Sequence, residues 1–183
     1  MDVRKLAIAL LAVFFLLCGA IAAGLRFNVS HSFPVGLYLT SAQLSAKLSF
    51  VGKSPEKGDL VMVDPPPLPI FAMAVDRGYI GKGYTPAGCV PLIKRLAGIA
   101  GDRVTIDLAG VEVNGVRLTN SAPLTKDAAG RPLHFYPLQN YILGPNEVLL
   151  MSEYSAASWD ARYFGPLQAT TIESVITPIL TWN

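Results

Sequence analysis

The chain opens with a long apolar segment. Residues 6–25 include no charged residue, and a helix of this length spans roughly 30 Å, the thickness of a bilayer core. Arg4 and Lys5 precede the run and Arg26 closes it, and positive charge before a first apolar segment favours a cytoplasmic N-terminus. The pattern predicts a membrane anchor with the rest of the chain exported. A cleaved secretory signal is the alternative, because Ala20-Ile21-Ala22 fits the small-x-small cleavage pattern.

After residue 26 the pattern changes to short apolar runs bounded by glycine, proline or polar residues, which is typical of strands. The predicted strands cover residues 37–39, 60–63, 104–108, 111–118, 147–151 and 172–179. Within the fourth run, Asn114-Gly115 is a favoured two-residue hairpin turn. The residue types of the remaining segments predict loops and one short helix. Prolines predict a loop at 64–69, a helix follows at 70–77, and residues 78–91 and 119–140 are turn-rich.

The predicted organisation is a cytoplasmic tip and anchor at residues 1–26, followed by a mostly β domain at residues 27–183. Net charge is +2 with no basic run, so nucleic acid is not an expected partner. His31 and His134 are too few for a metal cluster, and we expect neither a metal nor a cofactor. Cys18 lies in the apolar run and Cys89 far from it, so no disulfide is expected. Cys89 is either a buried apolar residue or a thiol with a separate role.

Three segments carry candidate chemistry. They are residues 28–38 (NVSHSFPVGLY), residues 57–61 with 93–104 (KGDLV and IKRLAGIAGDRV), and residues 158–166 (SWDARYFGP). In this order they resemble the conserved boxes of type I signal peptidases, and most closely those of the conjugative-transfer (TraF-type) branch. Ala161 stands where a serine is usual, and Ser152-Glu153-Tyr154 stands where housekeeping enzymes carry Gly-Asp-Asn. Both departures favour the transfer branch.

A base must take the proton of a serine before that serine can attack a carbonyl carbon. His31 is next to Ser32, but neighbours in an extended chain point to opposite faces, which disfavours this histidine. A lysine serves only when neutral, so its pKa must be lowered from about 10.4 by burial. Lys94 has the most apolar sequence surroundings of the lysines beyond the anchor, although a surface lysine is the ordinary alternative.

The resemblance implies roles for six residues. Ser32 is the implied nucleophile, Lys94 the general base, and Ser30 a donor to the oxyanion. Ser158 is implied to hold the lysine amine in place. Asp160 and Arg162, two apart on a segment expected to be extended, are candidates for a charge pair that supports it. The implied fold is the signal-peptidase coiled β-sheet or barrel.

The sequence therefore predicts a serine endopeptidase in the bacterial inner membrane with its catalytic domain in the periplasm. The expected substrate is a membrane-inserted precursor, a pilin or another conjugative-transfer protein, with small residues before the cut. Hydrolysis and cyclisation of the product both remain open. The alternatives are a housekeeping signal peptidase and a non-enzymatic anchored β-module of a transfer channel.

Overall fold

The computed structural model describes residues 2–41 and 55–182. Helix α1 (Val3–Ala22) begins after Asp2, whose carboxylate accepts a hydrogen bond from the backbone N–H of Arg4 at 3.1 Å, and ends before Gly24. None of its residues is buried, and its most apolar 18-residue window has a mean hydropathy of 2.5. This helix is long and apolar enough to cross a membrane. A signal sequence meets the same criteria of length and composition.

The rest of the described chain is built mostly from short strands. They are β1 (Leu25–Asn28), β2 (Val35–Thr40), β3 (Leu60–Val63), β4 (Leu92–Gly98), β5 (Arg103–Asp107), β6 (Gly110–Val113), β7 (Val116–Arg117), β8 (Leu138–Ile142), β9 (Glu147–Met151), β10 (Leu167–Gln168) and β11 (Ile172–Trp182). The described residues also include two short helices, α2 (Pro69–Asp76) and α3 (Ala161–Phe164), and a 3₁₀ turn at Ala169–Thr171.

The strands form two antiparallel sheets. The larger has the order β1-β2-β11-β3-β4-β9-β10, and the smaller has the order β7-β6-β5-β8. Neither closes on itself within the described residues, so the open coiled sheet, and not the barrel, is the form adopted. The mostly β fold with one N-terminal apolar helix is confirmed. The division of the chain at residue 26 stays a prediction. Helix α1 ends at Ala22 and strand β1 begins at Leu25.

The middle of the larger sheet carries the hydrophobic core. Val61 on β3, Leu96 on β4 and Leu149 and Leu150 on β9 are at most 1% exposed. Strand β4 is buried along almost its whole length because β3 and β9 pair with it on either side and other elements cover both faces. Lys94 on this strand is therefore removed from water, whereas Arg95 beside it stays partly exposed.

A close approach between β2 and β11 fixes the position of the hairpin formed by β1 and β2. Asn28 pairs with Gly36 at the closed end of this hairpin, and β11 runs along the other side of β2. A Cβ atom at Gly36 would lie 2.7 Å from the Cα of Thr181, so only glycine allows the backbones to approach this closely. The connecting residues 29–34 are held at a fixed position beside the larger sheet.

Most of the predicted elements have observed counterparts. Strands β3 and β9 have the predicted bounds, the predicted 37–39 lies inside β2, and the last strand continues to Trp182. The short helix is present one residue earlier than predicted, at Pro69–Asp76. Asn114 and Gly115 have φ angles of 52° and 80°, as a two-residue hairpin turn requires.

Four strands were missed, β1, β4, β8 and β10, and the turn-rich description of residues 119–140 was wrong at its end. Strand β4 is buried on both faces and so has no apolar-polar alternation to detect, and β10 has only two residues. Within the described residues, strand β8 is a sheet edge that pairs with β5, and four of its five residues are exposed. An edge strand with no buried face has no alternating pattern to detect. Strand β1 is only four residues long and begins inside the apolar run, at Leu25, so it has no separate pattern to detect.

Candidate active site

Asn28 organises the turn that carries Ser32. Its buried amide nitrogen donates to the carbonyl oxygens of Ser30, Phe33 and Pro34 at 3.1, 3.2 and 3.0 Å. Its amide oxygen accepts from the backbone N–H of Ser30 at 3.0 Å. The sequence analysis gave this residue no role. The available signal was an asparagine ahead of a serine- and proline-containing turn, where an amide can replace several backbone partners at once.

The Ser30 hydroxyl also belongs to this network. It donates to the amide oxygen of Asn28 at 2.8 Å, and the side chain is otherwise exposed. A hydroxyl has a single proton to donate. Donation to a reaction intermediate therefore requires the Ser30 hydroxyl to rotate away from Asn28 when substrate binds.

Lys94 and Ser32 are linked through Ser158. The Nζ of Lys94 donates to the Oγ of Ser158 at 3.0 Å, and this hydroxyl donates to the Oγ of Ser32 at 3.3 Å. Lys94 and Ser158 are 1% and 2% exposed, whereas Ser32 is partly accessible. Three residues more than 60 positions apart in sequence thus form one line from the sheet interior to an accessible hydroxyl.

Burial lowers the pKa of Lys94 from 10.5 to about 8. Desolvation is the main cause, because the charged ammonium loses its water while the neutral amine loses little. The charge of Asp160 raises this pKa and the charge of Arg162 lowers it, so the two ions partly cancel. With a pKa of about 8, roughly a tenth of the molecules carry a neutral amine at pH 7.

Asp160 and Arg162 form a fully buried ion pair. Arg162 donates through Nε to Oδ1 at 2.7 Å and through Nη2 to Oδ2 at 2.9 Å, the two-point geometry that strengthens such pairs. Arg162 also donates to the carbonyl oxygens of Ser152 and Ala156, and Asp160 accepts from the backbone N–H of Ser152 at 3.0 Å. The pair therefore fixes the chain that leads from β9 to Ser158.

Ser152 connects this buried pair to the turn that carries the candidate nucleophile. Its hydroxyl donates to the carbonyl oxygen of Ser32. The expectation of an extended segment at Asp160 and Arg162 is wrong, since Ala161–Phe164 is a single helical turn with Asp160 as its N-cap. The helix still brings the two side chains together, because residue N2 of a helix lies beside its N-cap.

Ser30, Ser32, Lys94 and Ser158 all line one cleft of about 440 Å³. His31 also borders it and is exposed, but the hydrogen bond to the Ser32 hydroxyl comes from Ser158. Four of the six sequence-predicted residues thus line one cleft, and the other two form the ion pair that supports it.

The cysteines lie outside this arrangement. Both are free; Cys18 is exposed on α1, and Cys89 is buried with its Sγ 3.2 Å from the Thr85 hydroxyl. Burial raises the pKa of the Cys89 thiol, which disfavours a nucleophilic role. Within residues 2–41 and 55–182, no cluster of three or more His, Cys, Asp or Glu side chains is placed to hold a metal ion.

The family profile described as signal peptidase, peptidase S26, matches residues 1–181. The chain belongs to this family. It is 46% identical to the plasmid transfer protein TraF of Escherichia coli, over 96% of this chain and 93% of that protein. It is 33% identical to the conjugal transfer protein TraF of Agrobacterium tumefaciens, over 92% and 89% of the two chains. The resemblance to the TraF-type branch is confirmed. A signal peptidase I from Enterococcus faecalis aligns with 69% of this chain and 100% of its own, with a TM-score of 0.39 and 19% identity.

Replacement of Lys94 by methionine tests the burial of this amine. Because the folded-state pKa lies below the unfolded one, Lys94 destabilises the fold below pH 8, and this cost disappears as pH rises towards 10.5. We subtract the free energy of unfolding of the wild type from that of Lys94→Met. This difference should be about 3 kcal/mol larger at pH 7 than at pH 10.5. Urea unfolding of the full chain in detergent micelles, at several pH values, measures the difference. Lys126→Met, at an exposed lysine, is the control, and its stability difference from the wild type should not change with pH. A difference that is equally independent of pH for Lys94→Met would contradict the lowered pKa.

Proposed function

We propose that this protein is a membrane-anchored serine endopeptidase that cleaves exported precursor proteins through an acyl-enzyme on Ser32. The observation that carries the proposal is the buried Lys94 amine, joined through Ser158 to the accessible Ser32 hydroxyl. A surface lysine would stay protonated, whereas this one has a pKa of about 8. Membership of a peptidase family supports the same reading.

In the proposed first step, the neutral amine of Lys94 receives a proton along the hydrogen-bond chain. Ser32 gives its proton to Ser158 as Ser158 gives its own to Lys94, and the Ser32 oxygen attacks the carbonyl carbon of the scissile bond. The oxyanion that forms accepts hydrogen bonds from the backbone N–H of Ser32 and from the Ser30 hydroxyl, after that hydroxyl rotates from Asn28. Each such donor contributes about 10²–10³ to the rate.

In the second step the Lys94 ammonium protonates the departing amine, and the peptide bond breaks. The acyl group stays on Ser32 as an ester. An acceptor, either water or an amine, then gives its proton to Lys94 and attacks the ester, which releases the product and restores the Ser32 hydroxyl. The buried Asp160–Arg162 pair takes no proton in this scheme and positions Ser158 and the Ser32 turn.

The proposed substrate is a membrane-inserted precursor of a conjugative-transfer system, a pilin or a similar exported protein. Two observations support this choice. Ser32 follows the end of α1 at Ala22 by ten residues, which keeps the site near the membrane surface if α1 is an anchor. The relatives described above are named as plasmid and conjugal transfer proteins.

The experiment incubates the full chain in detergent micelles with a pilin precursor and determines the product masses. We expect the wild type to cleave it, and Ser32→Ala and Lys94→Arg to give no detectable product, because a guanidinium stays protonated at any working pH. Lys126→Arg makes the same change at an exposed position and should cleave like the wild type. The masses also separate hydrolysis from cyclisation. Cleavage by Ser32→Ala or Lys94→Arg, or no cleavage by the wild type of this and a panel of other exported precursors, would contradict the proposal and favour a non-enzymatic module.

The proposed location is the inner membrane, with the β domain in the periplasm. Arg4 and Lys5 precede the apolar helix, and this charge distribution favours a cytoplasmic N-terminus. A periplasm-dependent reporter enzyme fused after Gly24 should be active, and one that works only in the cytoplasm should be inactive. The reverse result would contradict the topology, and a mature chain that begins at Ala23 would show that the segment is a cleaved signal.

A further inference from the structure

A second cleft, of about 550 Å³, lies near the cleft around Lys94. At three positions a lining residue of one cleft is adjacent in sequence to a lining residue of the other. These pairs are Ser32 with Phe33, Lys94 with Arg95, and Ser155 with Tyr154. On strand β4 the side chains of Lys94 and Arg95 point to opposite faces, so the clefts approach each other around the turn that carries the candidate nucleophile. We call the second the Phe33 cleft; its walls include Phe33, Tyr38, Leu60, Arg95, Tyr154 and Thr181.

The Phe33 cleft has an apolar interior and a charged rim. Phe33 and Tyr38 are 5% and 1% exposed, and the rings of Phe33 and Tyr154 are stacked with centroids 6.4 Å apart and planes 13° apart. At the rim, Arg95 Nε lies 4.0 Å from Glu153 Oε2, and both side chains remain partly exposed. An apolar pocket with a few polar groups at its margin suits a large apolar side chain carried on a polypeptide backbone.

We propose that the Phe33 cleft binds the part of the substrate that follows the scissile bond, with one large apolar side chain against Phe33 and Tyr154. This rests on the proposed function. A peptide attacked by Ser32 continues on both sides of the reacting carbonyl, and each extended residue advances about 3.3 Å, so a few residues reach either cleft. The cleft around Lys94 holds Ser32, which carries the acyl group as an ester until the second step, and Ser30, which donates to the oxyanion. The nearby Phe33 cleft is thus available to the segment that departs.

The proposal has a kinetic consequence that separates it from a general effect on folding. A departing segment contributes binding energy only until the peptide bond breaks. Contacts in the Phe33 cleft therefore speed the formation of the acyl-enzyme and leave its breakdown unchanged. Contacts on the acyl side affect both steps.

The test uses three synthetic peptides built on the junction that the wild type cleaves in its precursor. One ends at the first residue after the cut, and another continues for four residues that include a leucine; the third, with an all-glycine extension, is the reference. We expect the leucine peptide to have a kcat/KM about tenfold or more above the glycine one, since burial of a leucine side chain stabilises by this amount. In Tyr154→Ala, which removes a wall, and Thr181→Trp, which fills the cleft, the gain should fall below twofold. Tyr84→Ala, at a tyrosine that is 78% exposed, should keep it.

Cleavage of the short peptide shows that each variant is folded and active, so failure of the cleft is distinct from failure of the peptidase mechanism. The rate of acyl-enzyme breakdown should be the same in the wild type and both variants. A leucine gain retained in both variants would overturn the proposal. A slower breakdown of the acyl-enzyme in the variants would assign the cleft to the acyl side and overturn it as well.

Discussion

Burial of the Lys94 amine within the larger sheet is the constraint on which the rest of the site depends. Strand β4 lies between β3 and β9, and all its residues except Arg95 are buried. For the apolar neighbours this burial stabilises the fold, and for lysine it disfavours the charged form. The same burial that holds the sheet together thus lowers the pKa of Lys94 to about 8, as the proposed mechanism requires.

A buried amine needs a partner at a fixed distance, and the Asp160–Arg162 pair provides the support for that partner. The pair binds the backbone of Ser152 and Ala156 in the segment that leads to Ser158, and the Ser152 hydroxyl extends this support to the carbonyl of Ser32. Asn28 fixes the same turn from its other side. The charges of Asp160 and Arg162 shift the pKa of Lys94 in opposite directions and so partly offset each other, while the pair organises the loops.

The sequence predicted those parts whose signals are local. Apolar runs predicted β3 and β9, and Asn114-Gly115 predicted a hairpin. The candidate site residues came from the resemblance of three segments to signal-peptidase boxes. The edge strand β8 was not predicted, because its stability comes from pairing with β5 and not from a buried face. The five hydrogen bonds of Asn28 and the link from Ser152 to Ser32 depend on how distant segments meet, which no local pattern encodes.

The pH dependence of kcat/KM for precursor cleavage tests the central claim most directly, since this quantity reports the ionisation of the free enzyme. If neutral Lys94 is the base, the rate rises about tenfold per pH unit below its pKa and levels off above a value near 8. Lys126→Arg should show the same profile. A rate that levels off near pH 6.5, as histidine would give, or that does not change between pH 6 and 9, would contradict the account.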